Sequence, residues 1–288
     1  MTVLLATAAC AAPAGAQAAS PTGWDAYRQL DRLPMLRAGE QARLASSYDR
    51  RGGNRDNRYG CRRLLAGRCV IAEHAGPGEV DSIWTTRPRA GDVARTGTLR
   101  VELDGRSVVD DALTRVVGGG LGAPFAFPVV ANRIQASGAV WIKAPMPFRT
   151  RMRISTESDP GYVRVNYRTF DSADGVGTFD PADPAPDALA MLREAGTRDP
   201  VPAAPPLENA AGRGSLDVAG PGTIARLRVT FPGRPSRNTL RFTRLRMTFD
   251  GRRTVNAPLG DLFGSEIPAR VRSLLAAQER GVLTLWWP

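Results

Sequence analysis

Leu99-Arg100-Val101-Glu102-Leu103-Asp104-Gly105-Arg106 is the stretch of sequence from which the fold can be read. Apolar and polar residues alternate over its first five positions, which is the pattern of a half-buried β-strand. Asp104-Gly105 then supplies a residue pair that favours a two-residue hairpin turn. The stretch therefore predicts an antiparallel hairpin.

Similar short segments lie on both sides of this hairpin, and most are bounded by glycine or proline. They are Val70–Ala72, Val80–Thr86, Val140–Lys143, Met152–Ile154 and Tyr162–Tyr167. Helical periodicity is limited to three short stretches, at Trp24–Leu33, Asp187–Ala195 and Pro268–Arg280. Many turn-bounded strands with a few short helices indicate an all-β protein of the sandwich or barrel type.

The hairpin stretch occurs twice in the chain. Leu245–Arg252 repeats Leu99–Arg106 at an offset of 146 residues (250 − 104), and 8 of the 20 positions from Leu99 to Gly118 are identical in the two copies. Gly220-Pro221-Gly222 repeats Gly76-Pro77-Gly78 at a similar offset. A repeat of this length is a whole domain and not a solenoid unit. We therefore expect two tandem jelly-roll-like antiparallel β-sandwiches.

The expected domain order follows from the repeat and from local composition. Residues 1–19 are predicted to be a signal peptide or lipoprotein signal, 24–198 the first sandwich with an N-terminal polar turn, 199–214 a linker, and 215–288 the second sandwich. The first copy continues past Pro145 into further strands, whereas the second ends at Pro288. The second sandwich is therefore expected to be truncated, and the chain to be the N-terminal portion of a longer protein.

The charge of the chain is strongly positive. Its 288 residues carry a formal net charge of +11, and Lys143 is the only lysine among the basic residues. Codon bias in a GC-rich genome explains a predominance of arginine over lysine. The alternative explanation is attraction to an acidic polymer. The arginines are spread along the chain, without the motifs of nucleic-acid-binding proteins. We therefore expect no nucleic-acid partner.

Residues 2 to 19 are small and mostly apolar. Ala16-Gln17-Ala18 fits a signal peptidase site, which predicts a secreted, periplasmic or extracellular protein. Cys10 offers a lipoprotein alternative, and a membrane partner is expected only if Cys10 is lipidated. A disordered cytoplasmic tail is the third interpretation.

Cys61 and Cys69 are the two cysteines outside this segment. In an oxidising compartment they are expected to form a disulfide, and closing so small a loop would contribute about 2–3 kcal/mol. His74 is the only histidine, and no second cysteine pair follows. We therefore predict neither a metal site nor a cofactor.

Ser46–Asn57 is the most polar turn of the chain. It combines two carboxylates, three arginines, two carboxamides and a phenol around a Gly-Gly pair. Adjacent glycines permit backbone conformations that are closed to other residues, and Asn and Asp beside them favour turns. Such a turn either faces solvent or binds a polar ligand.

Four sequence blocks together resemble one known family. They are Ser46-Ser47-Tyr48-Asp49-Arg50-x-Gly52-Gly53-Asn54-x-Asp56, Gly76-Pro77-Gly78-x-Val80-x-x-Ile83-Trp84, Met146-Pro147-Phe148-Arg149 and Pro258-Leu259-Gly260-Asp261-Leu262-Phe263-Gly264. The family is the DUF2961 group, which is glycoside hydrolase family 172. The resemblance covers roughly residues 24 to 288.

The resemblance implies a fold, a substrate class and an assembly. Members of the family have paired jelly-roll β-sandwiches, act on furanosides such as difructose dianhydride, α-fructofuranosides and D-arabinofuranosides, and assemble as trimers or multiples of trimers. A furanoside glycan and a homo-oligomer, with a trimer as its form, are therefore the expected partners. Sugar hydroxyls pair with Asp, Asn and Arg side chains. The expected substrate-binding residues are Asp49, Arg50, Asn54 and Asp56. Ion pairing within the turn is the competing explanation for the two aspartates.

No catalytic residue is carried over from the family. Retaining glycosidases need two carboxyl groups about 5–5.5 Å apart, and the family provides glutamates in Trp-x-Glu-Gly-Asp-Glu and Gly-Thr-Glu-Asp-Tyr-Phe blocks. Neither block occurs in this sequence, and the nearest match to the second is Gly260-Asp261-Leu262-Phe263. We therefore expect a hydrolase-like chain that is inactive alone. The alternatives are a non-catalytic carbohydrate-binding or oligomer-forming module and an envelope protein that binds acidic polymer.

Overall fold

The computed structural model describes residues 2–8, 20–87, 93–201, 208–212, 214–264 and 271–287. Within these ranges the strands are β1 (Thr2–Ala8), β2 (Glu40–Ser46), β3 (Arg63–Leu65), β4 (Arg68–Ala75), β5 (Gly78–Thr86), β6 (Thr98–Leu103), β7 (Arg106–Ala112), β8 (Val130–Ala131), β9 (Val140–Ile142), β10 (Met146–Phe148), β11 (Arg151–Thr156), β12 (Tyr162–Phe170), β13 (Glu208–Gly212), β14 (Thr223–Thr230), β15 (Arg244–Phe249), β16 (Arg252–Pro258), β17 (Ala276–Glu279) and β18 (Val282–Trp286). The helices are α1 (Asp25–Arg28), α2 (Leu113–Val117), α3 (Pro186–Arg193), α4 (Arg237–Phe242) and α5 (Leu259–Leu262), with 3₁₀ turns at Leu30–Arg32, Asp56–Arg58 and Val93–Thr96. The pairings between these strands are antiparallel. The predicted all-β class is confirmed.

The chain divides into two compact units. The larger comprises the described parts of Gln17–Gln29 and Met35–Arg193, and the smaller comprises the described parts of Met1–Ala16, Leu30–Pro34 and Glu194–Pro288. The larger unit holds one sheet in the order β2-β12-β5-β9-β8, with β10 paired to β5, and a second in the order β3-β4-β11-β6-β7. The smaller unit holds a sheet in the order β13-β1-β14-β18-β17 and the two-stranded hairpin β15–β16.

The core of the larger unit lies between its two sheets. Val163 and Val165 on β12 are buried, whereas Arg164 between them is exposed, because alternate residues of a strand point to opposite faces. Val101 on β6 and Ile154 on β11 join the same cluster from the opposing sheet. Burying each such side chain contributes roughly 1.5–3 kcal/mol, so the apolar positions that predicted the strands also stabilise the sandwich.

The smaller unit has a separate core. Its main apolar cluster is formed by buried residues of β14, β18, α4, α5 and the position after α5, namely Leu227, Val229, Leu240, Leu259, Phe263, Leu283 and Leu285. Leu245 of β15 packs against this cluster, so one face of the hairpin is directed inward.

The two copies of the repeated stretch form hairpins with matching backbones. Asp104-Gly105 has φ values of 51° and 82°, and Asp250-Gly251 has values of 50° and 76°. Positive φ at both central residues is the geometry of a type I′ turn, which suits hairpins. The register shifts between Val101 and Glu102 in the first hairpin and at the corresponding position of the second, 146 residues later. The predicted hairpin is confirmed, and the second copy repeats its bulge.

The predicted helix over Pro268–Arg280 is wrong. Ala276–Glu279 forms β17, which pairs with β18 across a two-residue turn. Arg280 and Gly281 have φ values of 46° and 85°, so the glycine serves a type I′ turn and does not end a helix. Residues 268–270 lie outside the described ranges.

Of the other two predicted helices, one is confirmed and one is shorter than predicted. The predicted helix at Asp187–Ala195 is confirmed as α3. The predicted helix at Trp24–Leu33 is reduced to the single turn of α1 followed by a 3₁₀ turn. Among the helices that the structure describes, none has the length and apolar character that a membrane crossing requires.

Two predicted non-globular segments contain paired strands. Thr2–Ala8, within the predicted signal, forms β1 between β13 and β14. β13 lies within the segment 199–214 that was expected to be a linker, because β1 offers it a backbone pairing edge. Cys10 and Ala16-Gln17-Ala18, on which the export alternatives depend, lie outside the described residues.

Candidate functional site

The polar turn Ser46–Asn57 follows β2 at one end of the β2–β12 pair. The Ser47 amide donates a hydrogen bond to the Val163 carbonyl at 3.0 Å, and the Val163 amide donates to the Ser47 hydroxyl at 3.1 Å. A disulfide joins Cys61 to Cys69 on β4, with 5.1 Å between the Cα atoms. The turn is therefore bonded to β12 at its start, and the chain that follows it is cross-linked to the second sheet.

The two aspartates of the turn bind its own backbone. Asp49, only 8% exposed, accepts a hydrogen bond from the Arg51 amide at 3.0 Å. The Asp49 amide donates to Asp56 Oδ1 at 2.8 Å, and the Gly52 amide donates to the Asp49 carbonyl at 3.1 Å. In the part of the chain that the structure describes, neither aspartate forms an ion pair with a neighbouring arginine. Backbone N–H groups satisfy these carboxylates instead.

The Gly-Gly pair serves two separate needs. Gly52 has a φ of 75°, a left-handed conformation that glycine adopts without strain. A Cβ atom at Gly53 would lie 2.7 Å from Asp49 Oδ2, too close for a non-bonded contact. The first glycine therefore provides the bend, and the second leaves room for the buried carboxylate.

Several side chains of the turn are exposed to solvent, among them Tyr48, Arg50 and Asn54. Tyr48 is 54% exposed, and the guanidinium carbon of Arg50 lies 4.6 Å from the centre of its ring, a cation–π contact. Arg50 Nη2 also donates to the Ser46 carbonyl at 3.4 Å. Asn54 is exposed, and its carboxamide has no hydrogen-bond partner among the described residues. The turn thus offers an aromatic ring, a cation and a free carboxamide on a fixed backbone.

The four predicted contact residues therefore lie in one turn but differ in position. Arg50 and Asn54 are exposed, whereas Asp49 is buried and Asp56 is half-buried and bonded to the Asp49 amide. The two aspartates are bonded to the backbone of the turn, whereas the side chains of Arg50 and Asn54 are exposed to solvent. Tyr48 is exposed beside Arg50 and is not among the residues predicted from the sequence, although an aromatic ring within so polar a turn was a usable signal.

Two of the family-like blocks are neighbours in the same sheet. Met146 pairs with Val80, and Phe148 pairs with Gly78. A Cβ atom at Gly78 would lie 2.3 Å from the carbonyl oxygen of Arg168 and 2.7 Å from the Phe148 ring. Glycine is therefore required at Gly78, where β5 passes close to two other strands.

A second concentration of charge surrounds Arg168 on β12. Arg168 Nη2 lies 2.5 Å from Glu79 Oε1, and its Nε lies 3.2 Å from Asp81 Oδ1. Its third nitrogen contacts Glu40 on the opposite neighbouring strand. Glu79 Oε2 accepts a hydrogen bond from the Gly23 amide at 2.5 Å. One guanidinium thus joins three carboxylates from both flanking strands.

Burial changes the acidity of this cluster. It raises the pKa of Glu79 to about 7, against the opposing attraction of Arg168 and the Gly23 N–H. Burial likewise raises the pKa of Asp81 to about 6. The pKa of the Tyr27 phenol is raised by burial first and then by the charges of Glu79 and Asp81.

The Arg168 cluster is a structural anchor and not a catalytic pair. A carboxyl group with a pKa near neutrality is typical of a general acid. Glu79 is only 1% exposed, however, and both of its oxygens accept hydrogen bonds, so substrate cannot reach it. The cluster fastens the segment around Gly23 to the sheet. The alternation Glu79-Val80-Asp81 indicates two acids on one face of a strand, opposite a buried valine, but nothing in the local sequence indicates Arg168 as their partner.

A comparison with protein families identifies the larger unit. A family model described as the GH172 first beta-sandwich domain matches residues 38–187, which is just over half of the 288-residue chain. The chain belongs to the GH172 family. The GH172 match includes the polar turn, the disulfide and the Arg168 cluster. No curated protein matches the sequence.

GH172 membership makes a carbohydrate the expected ligand class. The exposed side chains of the turn suit such a ligand, because an aromatic ring covers the C–H face of a sugar and N–H groups donate to its hydroxyls. Among the described residues of this GH172 protein, no group of three or more His, Cys, Asp and Glu side chains is arranged to hold a metal ion.

Proposed function

We propose that this GH172 protein binds furanoside glycans, of D-arabinofuranose or fructofuranose, through the turn Ser46–Asn57. The observation that supports the proposal is the division of the turn into a bonded interior and an exposed face of Tyr48, Arg50 and Asn54. A binding face that is rigid before contact loses less conformational entropy when ligand binds. The family resemblance supports a sugar in the furanose form as the ligand.

The proposal assigns recognition to the turn and assigns no cleavage to it. A glycosidase needs two carboxyl groups that can reach the glycosidic bond. Asp49 and Asp56 accept backbone hydrogen bonds, and Asp49 is buried. The family's two glutamate blocks do not occur in this sequence. We therefore propose that the chain by itself binds furanosides without hydrolysing them.

The proposal includes a location and an assembly. The Cys61–Cys69 disulfide supports a site of action outside the cytoplasm, because such bonds persist in oxidising compartments. The family resemblance supports a homo-oligomer, with a trimer as its form. The molar mass of the purified protein, measured by light scattering after size exclusion, tests the assembly.

Calorimetric titration with arabinofuranosyl and fructofuranosyl oligosaccharides tests the proposal, with pyranosyl oligosaccharides of equal length as the ligand control. Tyr48→Ala, Arg50→Gln and Asn54→Ala are each expected to weaken furanoside binding by about tenfold, equivalent to ~1.4 kcal/mol. Arg106→Gln, an exposed arginine elsewhere in the same sandwich, is the matched control and should bind as the wild type does.

Equal affinity for pyranosides, or unchanged furanoside binding in all three turn variants, would overturn the assignment. Free arabinose or fructose is measured in the same samples. Its release would disprove the proposal that the chain binds without hydrolysis.

A further inference from the structure

The hairpin β15–β16 carries a dense group of exposed arginines. They are Arg244, Arg246, Arg252 and Arg253. Asp250 in the turn is the only acidic residue of the hairpin sequence. Within the described ranges, none of the four guanidinium groups lies within ion-pair distance of a carboxylate.

Strand register sorts these side chains onto one main face. Leu245 packs inward against the core of the smaller unit, so its neighbours on β15 point away from that core. Arg246 is paired with Asn256, and Thr248 with Arg253, and cross-strand partners share a face. The outward face therefore carries Arg244, Arg246, Thr248, Arg253 and Asn256.

One of these arginines is fixed across the hairpin. Arg244 Nε donates to Asn256 Oδ1 at 2.9 Å, and its Nη2 donates to the Asn256 carbonyl at 2.6 Å. Both bonds are made to neutral acceptors, so the positive charge is held in place without being neutralised. Arg246 and Arg253 have no hydrogen-bond partner in the part of the chain that the structure describes.

The first hairpin has the same backbone, but its arginine at the equivalent position is paired with an acid. Arg100, at the position of Arg246, donates to Asp110 Oδ2 through Nε at 3.1 Å and through Nη2 at 2.8 Å. The position of Asp110 is occupied by Asn256 in the second hairpin. Residues 98–111 carry a net charge of −2, from two arginines and four acids, whereas 244–257 carry +3, from four arginines and one acid. Equivalent backbones thus differ by five charges.

We propose that the outward face of β15–β16 binds an anionic glycan whose carboxylate groups pair with Arg244, Arg246 and Arg253. The guanidinium fork matches the geometry of a carboxylate. Thr248 and Asn256 lie between the arginines and suit sugar hydroxyls. Arginines two positions apart on a strand are roughly 7 Å apart, so a polymer engages several of them where a single sugar engages one. The choice of a glycan over other polyanions rests on the carbohydrate function proposed above.

Binding of the full chain to immobilised polygalacturonate tests the inference, with fully methyl-esterified polygalacturonate as the neutral control of the same backbone. The acidic polymer is expected to bind and the ester not, and raised ionic strength should weaken binding because the charges are exposed. Asn256→Asp, which restores the acid of the first hairpin, is expected to weaken binding about three- to tenfold. Arg246→Gln combined with Arg253→Gln should weaken it by about tenfold or more.

Asp110→Asn is the matched control in the first hairpin, and it should not reduce binding. Thermal unfolding of each variant checks that the fold is retained. Equal binding of the ester, or unchanged binding in both hairpin variants, would overturn the inference. Tighter binding of single-stranded DNA than of polygalacturonate would replace the glycan by a nucleic acid. Tyr48→Ala should leave polygalacturonate binding intact, so failure of the furanoside proposal and failure of this one are separate results.

Discussion

Gly53 is the residue at which the candidate site has least room. A methyl group there would meet Asp49 Oδ2 at 2.7 Å, and Asp49 is buried, so its carboxylate cannot swing into solvent. We expect Gly53→Ala to lower the free energy of unfolding by about 1–3 kcal/mol, the usual cost of overpacking. Furanoside binding should fall with it, because the turn that carries Tyr48 and Asn54 is displaced. Urea denaturation and calorimetry measure the two effects.

Gly177→Ala is the control for this substitution. Gly177 has open space at its Cβ position and no positive φ. The control should unfold and bind as the wild type does. If Gly53→Ala also behaved as the wild type, the conclusion that the Asp49 carboxylate packs closely against Gly53 would be wrong.

For single residues, the sequence predicted which side chains share the polar turn but not the direction of each side chain. Asp49, Arg50, Asn54 and Asp56 do lie in one turn. Their directions depend on the left-handed bend at Gly52, and a turn has no period from which direction can be read. The same limit explains why the exposed position of Tyr48 beside Arg50 was not predicted.

The first hairpin is held to its neighbours by one aspartate of its turn. Asp104 Oδ1 accepts hydrogen bonds from the Thr150 amide and hydroxyl, both at 2.7 Å, and from the Arg151 amide at 3.1 Å. Its Oδ2 accepts from the Arg149 amide at 2.8 Å and the Thr178 hydroxyl at 2.6 Å. Burial alone would raise the pKa of this carboxyl, but the hydrogen bonds outweigh burial and hold the pKa well below its usual range. The Asp-Gly turn thus links β6–β7 to the start of β11.

Asp104→Asn is expected to cost about 2 kcal/mol of unfolding free energy, since an amide accepts through one oxygen only. Asparagine tolerates the positive φ, so backbone strain does not add to the loss. Asp250→Asn, at the equivalent turn of the second hairpin, should change stability by less than about 0.5 kcal/mol. Asp250 has no hydrogen-bond partner in the described ranges. Equal losses in the two variants, measured by chemical denaturation, would contradict this assignment.

Strands and helices were predictable where the hydrophobic periodicity of the sequence was clear. β6 and β12 alternate cleanly, and their type was read correctly. The type of the segment Pro268–Arg280 was not read correctly, because Val271, Leu274 and Leu275 fit an apolar helix face and a short apolar run equally well. The pairing with β18 decides for a strand in Ala276–Glu279, and this partner is not visible in local sequence.

The pH dependence of stability is a property of the whole molecule. The folded state raises the pKa of Glu79 from 4.5 to about 7. This contribution is therefore fully present below about pH 4.5 and is lost as pH rises through about 7. Asp104, whose pKa is lowered, acts in the opposite sense, and its contribution is lost as pH falls below 3.8. The melting temperature should be highest at about pH 5 and should decline towards pH 8.

Glu79→Gln tests this profile. The variant has no carboxyl to ionise, so its melting temperature should decline less between about pH 5 and pH 8, with up to ~3 kcal/mol removed from the change in stability. Asp81 contributes in the same direction, but less, because its side chain is 38% exposed. A wild-type melting temperature that rises over this range, or an equal decline in the variant, would show that Glu79 is ionised throughout.

At the largest scale, composition and short alternating segments predicted an all-β protein, and the sequence blocks identified GH172. The partners of Arg168 could not be predicted, because Glu40, Glu79 and Arg168 are far apart in sequence and meet only through the strand order β2-β12-β5. The charge contrast between the hairpins was open to inspection once the repeat was aligned. That the arginines of the second hairpin lie on an outward face could be seen only from the pairing register of β15 and β16.

Because the two hairpins share a bulge at the same position, their sequences can be exchanged residue for residue. Residues 98–112 and 244–258 have the same length, the same turn and the same irregular position, so either can be transplanted into the other site without a gap. A transplant would move a patch of charge between two places on one protein while leaving the local backbone path unchanged. The duplicated fold thereby carries its own pair of exchangeable surfaces, one acidic and one basic.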